Sequence, residues 1–127
     1  MGYAPYKGAT YVAMFNEVPH LFAVLNDPCK DQLCLIVMFN SIKPTRMYDP
    51  ACVLYDCEPE FLNRDTYISY RIATNVRASH IGNMVDKNAY TPWPDLHPAI
   101  YKRICAGLYM SDETRPTMFV YAGSVGI

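Results

Sequence analysis

Leu33-Cys34-Leu35-Ile36-Val37-Met38-Phe39 is an unbroken run of apolar residues. A run without alternation must be covered on both faces, so it reads as a central strand. Upstream, Leu21-Phe22-Ala23-Val24-Leu25 is a second run of the same kind. It stops at Asn26-Asp27-Pro28, where Asx side chains hydrogen-bond their own backbone and proline fixes φ. The polar connection from Asn26 to Gln32 predicts antiparallel pairing of the two runs. Working outward, Tyr11 to Phe15 is a first strand closed by Asn16-Glu17, and Ala51 to Tyr55 is a short one. Asn40 to Pro50 is a loop and Asp56 to Glu60 an acidic turn. From Asp65 to Ile72 the residues alternate. Ile68, Tyr70 and Ile72 are expected on one face, and Tyr67, Ser69 and Arg71 on the other.

The second half changes character. A short helix is expected over Ala78 to Val85, then a rigid connector, Thr91-Pro92-Trp93-Pro94. Leu96, Ile100, Ile104 and Leu108 recur every four residues and predict an amphipathic helix. Asp95 is its expected N-cap and Gly107 its expected C-terminal end. Thr114 to Ala122 reads as a last short helix, favoured by Ser111 and Thr114 as caps, or as an edge strand, given the strand character of Met118 to Tyr121. The chain is therefore expected to be one α+β domain, residues 1–127. Residues 1–73 would be mainly β, a small antiparallel barrel of about five strands, and 74–127 mainly helical.

Composition narrows the function classes. With 127 residues, 51% hydrophobic and 18% charged, the chain is neither disordered nor large enough for two domains. The net charge of -1 excludes a broad polycationic surface but not a local basic face. Glu17 to Glu60 holds seven acidic against three basic residues, and Arg64 to Arg103 holds six basic against three acidic. No apolar run is long enough to span a membrane, and the N-terminus lacks the apolar region of a secretory signal. With no export signal, the five cysteines, an odd number without C-x-x-C spacing, read as reduced thiols in a cytoplasmic protein. Cys34 and Cys105 are expected in the core. A zinc site from Cys52, Cys57 and His20 or His80 matches no common spacing, so neither metal nor cofactor is expected.

Three segments together resemble the MazF/PemK toxin-fold proteins of phages and plasmids. They are His20 to Pro28, then Leu35 to Ser41, then Asp49 to Leu54 continuing into Glu58 to Leu62 and Asp65-Thr66-Tyr67-Ile68-Ser69-Tyr70. The resemblance implies an SH3-like barrel, a homodimer, an endoribonuclease activity on single-stranded RNA and neutralisation by an antitoxin. It also implies a functional hydroxyl after the third strand, which Ser41 matches. Classical members place an arginine at the lead-in to the second strand, where this chain has Val18-Pro19-His20.

RNA cleavage without a metal needs a base for the 2′-hydroxyl, an acid for the leaving oxygen and positive charge at phosphorus. Histidine is the side chain whose ordinary range lies near neutrality, which makes His20 the candidate base or acid, against a capping role at a strand start. Arg64 and Arg71 carry forks that match phosphate, against pairing with Asp65 or Asp56. Asp65 is a second acid–base candidate, against closing a turn. Ser41 completes the catalytic set, against capping the loop that follows. Tyr67 and Lys43 join Arg71 as nucleic-acid contacts, and Tyr67 and Tyr70 are otherwise packing residues. His80 and His97 are expected to be structural. Two functions compete: an RNA-cleaving toxin, and a non-catalytic module that binds a protein partner in a mobile-element or defence setting.

Overall fold

A computed structural model describes residues 2–55 and 62–127. The central apolar run becomes β3, Leu33–Ser41, and every residue from Cys34 to Phe39 is buried. Its neighbours are β2, Val18–Val24, and β5, Thr66–Arg77. β1, Thr10–Phe15, lies beyond β2, and β4, Val53–Leu54, lies beyond β5. All pairings are antiparallel. The β1–β2 connection is the two-residue loop Asn16-Glu17, both with positive φ (49° and 65°), the mirror-image turn that matches strand twist.

Alternate residues of β3 serve two cores. Leu35, Val37 and Phe39 pack with Leu21, Ala23, Ile68 and Tyr70 beneath α2, Pro98–Met110, and α3, Pro116–Ser124. Cys34, Ile36 and Met38 pack with Tyr11, Phe22 and Val24 beneath α1, Ala78–Asp86. Cover on both faces is what an unalternating strand requires, and here helices supply it. The molecule is α+β, but its sheet is open and not a closed barrel. The order is β4-β5-β3-β2-β1-β6, so β4 and β6 are edges. The sixth strand, β6, Thr91–Trp93, replaces the expected connector. Its prolines argued against a strand, yet an edge tolerates proline because one side needs no N–H donor. No helix of the described residues is long and apolar enough to cross a membrane.

Several local expectations change. β5 runs past Ile72 to Arg77 and carries a large bulge. Ile36 pairs with Thr74 but Met38 pairs with Ser69, leaving Tyr70 to Ala73 without a register partner opposite Val37. An odd slip reverses the faces. Ile72 therefore packs on the α1 side, and Ala73 takes its place beside Ile68 and Tyr70. α2 starts later than expected: its N-cap is His97, whose Nδ1 accepts from Ala99 N at 3.1 Å. Asp95 instead accepts from the Tyr6 hydroxyl at 2.8 Å. Gly107 lies inside α2, where a Cβ would stand 2.3 Å from Tyr70 Oη. Close approach of Tyr70, not helix termination, demands glycine there. Cys34 is fully buried and Cys105 partly so. The expected turn at Asp56 to Glu60, and Cys57, lie outside the described residues.

Candidate nucleic-acid interface

The site begins where two strands part. β2 and β3 pair only from Phe22↔Met38 to Val24↔Ile36. Beyond that point β2 runs on to Val18 and β3 to Ser41 with no pairing between them. The α1 helix, nine residues and so roughly 13 Å long, covers the paired end of this face and leaves the splayed end open. The result is a groove of about 820 Å³ whose walls include Val18 to Leu21 and Met38 to Ser41.

Loops from either side of the sheet bring the charge. Arg46 N donates to Lys43 O at 3.2 Å, closing a turn that presents both basic side chains at the groove. Ile42 N donates to Asp65 O at 3.0 Å, which holds that loop beside the segment leading into β5. Arg64 lies in that segment, and Thr66 Oγ1 ties its carbonyl down at 3.0 Å. Arg71 comes from the face-reversing bulge of β5. Lys43, Arg46, Arg64 and Arg71 all line the groove, four of the eleven Lys and Arg in the chain. None of the described residues lining it is acidic. Clustered cations with no acidic residue among the described lining favour a local positive potential that a whole-chain charge of -1 conceals.

His20 sits on one wall. Its Nδ1 is 2.9 Å from Val18 O. A carbonyl only accepts, so Nδ1 carries the hydrogen, and in the neutral ring Nε2 keeps its lone pair. The Phe15 ring meets the imidazole edge-on, with centroids 5.9 Å apart. Opposite, Asn40 pairs with Tyr67 across β3 and β5, and Asn40 Nδ2 donates to Tyr67 Oη at 3.2 Å. The Tyr67 hydroxyl accepts this bond and keeps its own proton to donate. Tyr48 lies against Tyr67 with ring centroids 5.6 Å apart. A smaller hollow of about 80 Å³ between Tyr48, Tyr67, Lys43 and Arg46 adjoins the groove.

Of the residues singled out in the sequence, His20, Ser41, Lys43, Arg64, Tyr67 and Arg71 all line this groove. Asp65 does not; it is exposed outside the lining. Tyr70 faces the other way, buried, donating to Ile104 O at 2.6 Å. Sequence reasoning passed over Arg46, Asn16, Asn40 and Asn63. For Arg46 a signal existed: Lys43-Pro44-Thr45-Arg46 is a turn sequence with a cation at each end. The asparagines carry none, since their place depends on the splay. His97 is a helix cap, and His80 Nε2 lies 3.5 Å from the Tyr90 hydroxyl, away from the groove. No three His, Cys, Asp or Glu of the described residues are grouped to hold a metal ion. No protein-family model matches this chain, and no curated protein matches it.

Proposed function

We propose that this chain binds single-stranded RNA along the β2–β3 groove and cleaves it there. One observation carries the reading: four basic side chains and a histidine with an available Nε2 line one groove with no acidic residue among its described walls. Phosphates would lie against Lys43, Arg46, Arg64 and Arg71. Bases would stack on Tyr67 and Tyr48, a contact of roughly 1–3 kcal/mol per base. In the cleavage step His20 Nε2 takes the 2′-hydroxyl proton. The 2′-oxygen attacks phosphorus, giving a 2′,3′-cyclic phosphate, and the imidazolium returns its proton to the leaving 5′-oxygen. Arg64 and Arg71 offset the charge that builds on the phosphorane. Ser41 adds a hydroxyl at the same wall. The MazF/PemK resemblance supports the same reading and brings a homodimer and an antitoxin with it. On this reading the site of action is cytoplasmic.

The test is binding and cleavage of a fluorescent single-stranded RNA across a salt series. Four phosphate contacts predict an affinity that falls roughly 50-fold between 50 and 200 mM salt. A strand with 2′-deoxy sugars should bind but stay intact. His20→Gln should keep binding and lose about 100-fold or more in turnover. Absence of binding at low salt overturns the reading.

A second reading has its own observation. The unpaired stretches of β2 and β3 offer strand backbone to an extended segment, and the basic walls would favour an acidic one. On this reading the chain is a protein-binding module of the same fold. RNA that binds but is never cut, with tight binding of an acidic peptide in its place, would select it.

A further inference from the structure

Phosphate contact does not account for every polar group in the groove. Asn40 on β3 and Tyr67 on β5 pair directly, and both half-buried side chains line the groove. Asn40 Nδ2 donates to Tyr67 Oη at 3.2 Å. That bond orients the amide and leaves three groups available at the groove. They are the Tyr67 hydroxyl hydrogen, the second Nδ2 hydrogen and Oδ1, which has no donor among the described residues. The turn from Lys43 to Arg46 stands beside them and bounds the hollow of about 80 Å³. Tyr48 is its aromatic wall, with its ring centroid 5.6 Å from that of Tyr67. A nucleotide needs three kinds of partner: a ring for its face, polar groups for its edge and a cation for its phosphate. All three line this hollow.

We infer that Asn40 and Tyr67 determine base specificity, selecting cytosine at one position of the strand that the RNA-binding reading lays in the groove. From Tyr67 Oη through Asn40 Nδ2 to Oδ1 the order is donor, donor, acceptor. The matching base edge is acceptor, acceptor, donor. Cytosine presents that order along its Watson–Crick edge as O2, N3 and N4–H. Uracil reads acceptor, donor, acceptor, and adenine offers only N1 and N6–H. Either one leaves a protein group unmet. The Watson–Crick edge of guanine carries two donors and sets them against donors. Polar groups left without partners are costly, so the cytosine edge is favoured over the other three. The array is held ready for it, because the ladder between β3 and β5 fixes both backbones and the Asn40–Tyr67 bond fixes the amide.

The experiment measures the affinity of four oligouridine strands with 2′-deoxy sugars, which differ only in a central U, C, A or G. The wild-type chain should bind the strand with cytosine roughly tenfold more tightly than the other three. Tyr67→Phe keeps the ring and removes one donor, so the cytosine strand should fall to about the level of the adenine strand. Asn40→Asp replaces a donor and an acceptor with two acceptors, which suit N1–H and N2–H of guanine. Preference should therefore move from cytosine to guanine. Each readout is a ratio of affinities on one variant, so a general loss of folded protein cancels. A merely structural role would weaken all four strands alike and leave the ranking unchanged, and that result overturns the inference. Equal binding of the four strands by the wild-type chain overturns it too, while the RNA-binding reading stands. No binding of any strand at low salt overturns both. If neither variant folds, the wild-type ranking decides, and a preference for any base other than cytosine counts against the inference.

Discussion

At the residue scale, partners decide what each side chain is able to do. His20 is the clearest case: its place in the sequence gives an imidazole, but Val18 O fixes which nitrogen carries the hydrogen. Cys29 is another. The Tyr121 hydroxyl donates to its Sγ at 3.4 Å, and this bond, aided by backbone N–H groups, draws the thiol below its ordinary range. Cys34 is buried and is pushed up to about 11, and burial also raises Cys105. A thiolate reacts where a thiol does not. Cys29 is therefore expected to alkylate ahead of Cys34 and Cys105 at neutral pH, with its rate rising at a lower pH than an ordinary thiol. Tyr121→Phe removes the largest cause of the shift, so the pH dependence should move upward. Peptide mapping after timed alkylation measures both, and equal labelling of the three sites would contradict the assignment.

At the element scale, the groove is made by what the strands do not do. β2 and β3 pair over a few residues and then part, and the short α1 covers only the paired end. The hairpin that ends β1 sits at the rim, with Asn16 in the lining. Its second residue, Glu17, holds φ 65°, a conformation that costs a residue bearing a Cβ about 1–2 kcal/mol. Glycine is at home there but loses more chain entropy on folding, roughly 0.5–1 kcal/mol. Glu17→Gly should therefore stabilise the chain by roughly 0.5–1 kcal/mol in urea unfolding. Destabilisation would mean that the Glu17 side chain contributes something its geometry does not reveal.

At the scale of the whole molecule, one strand joins two cores. β3 sends Leu35, Val37 and Phe39 to the α2–α3 side and Cys34, Ile36 and Met38 to the α1 side. Neither core can be lost while β3 stays in place. Ile81 on α1 and Ile104 on α2 are both fully buried, and truncating either to alanine should cost about 2–5 kcal/mol. Both variants should lower a single unfolding transition, seen together by far-UV circular dichroism and by fluorescence of Trp93. Two separated transitions in either variant would mean that the faces unfold independently. The same architecture explains why charge arithmetic along the chain was a poor guide. Lys43 and Arg46 come from the acidic first half, and Arg64 and Arg71 from the basic stretch after it. Folding gathers these four on one groove.

The elements were legible because they rest on local physics. Apolar runs without alternation must be central strands, and an apolar residue every fourth position must be a helix facing a core. His20, Lys43, Arg64, Tyr67 and Arg71 could be singled out for their chemistry, and Ser41 through the resemblance. That these six line one groove, that Asp65 stays outside it, and that Arg46 and Asn40 belong to it depended on tertiary structure. So did the open sheet in place of a barrel, because closure depends on whether the edge strands meet. The face reversal at Ile72 was equally invisible in the alternation of β5. A bulge is a mismatch between two strands, and only the partner strand determines where it falls.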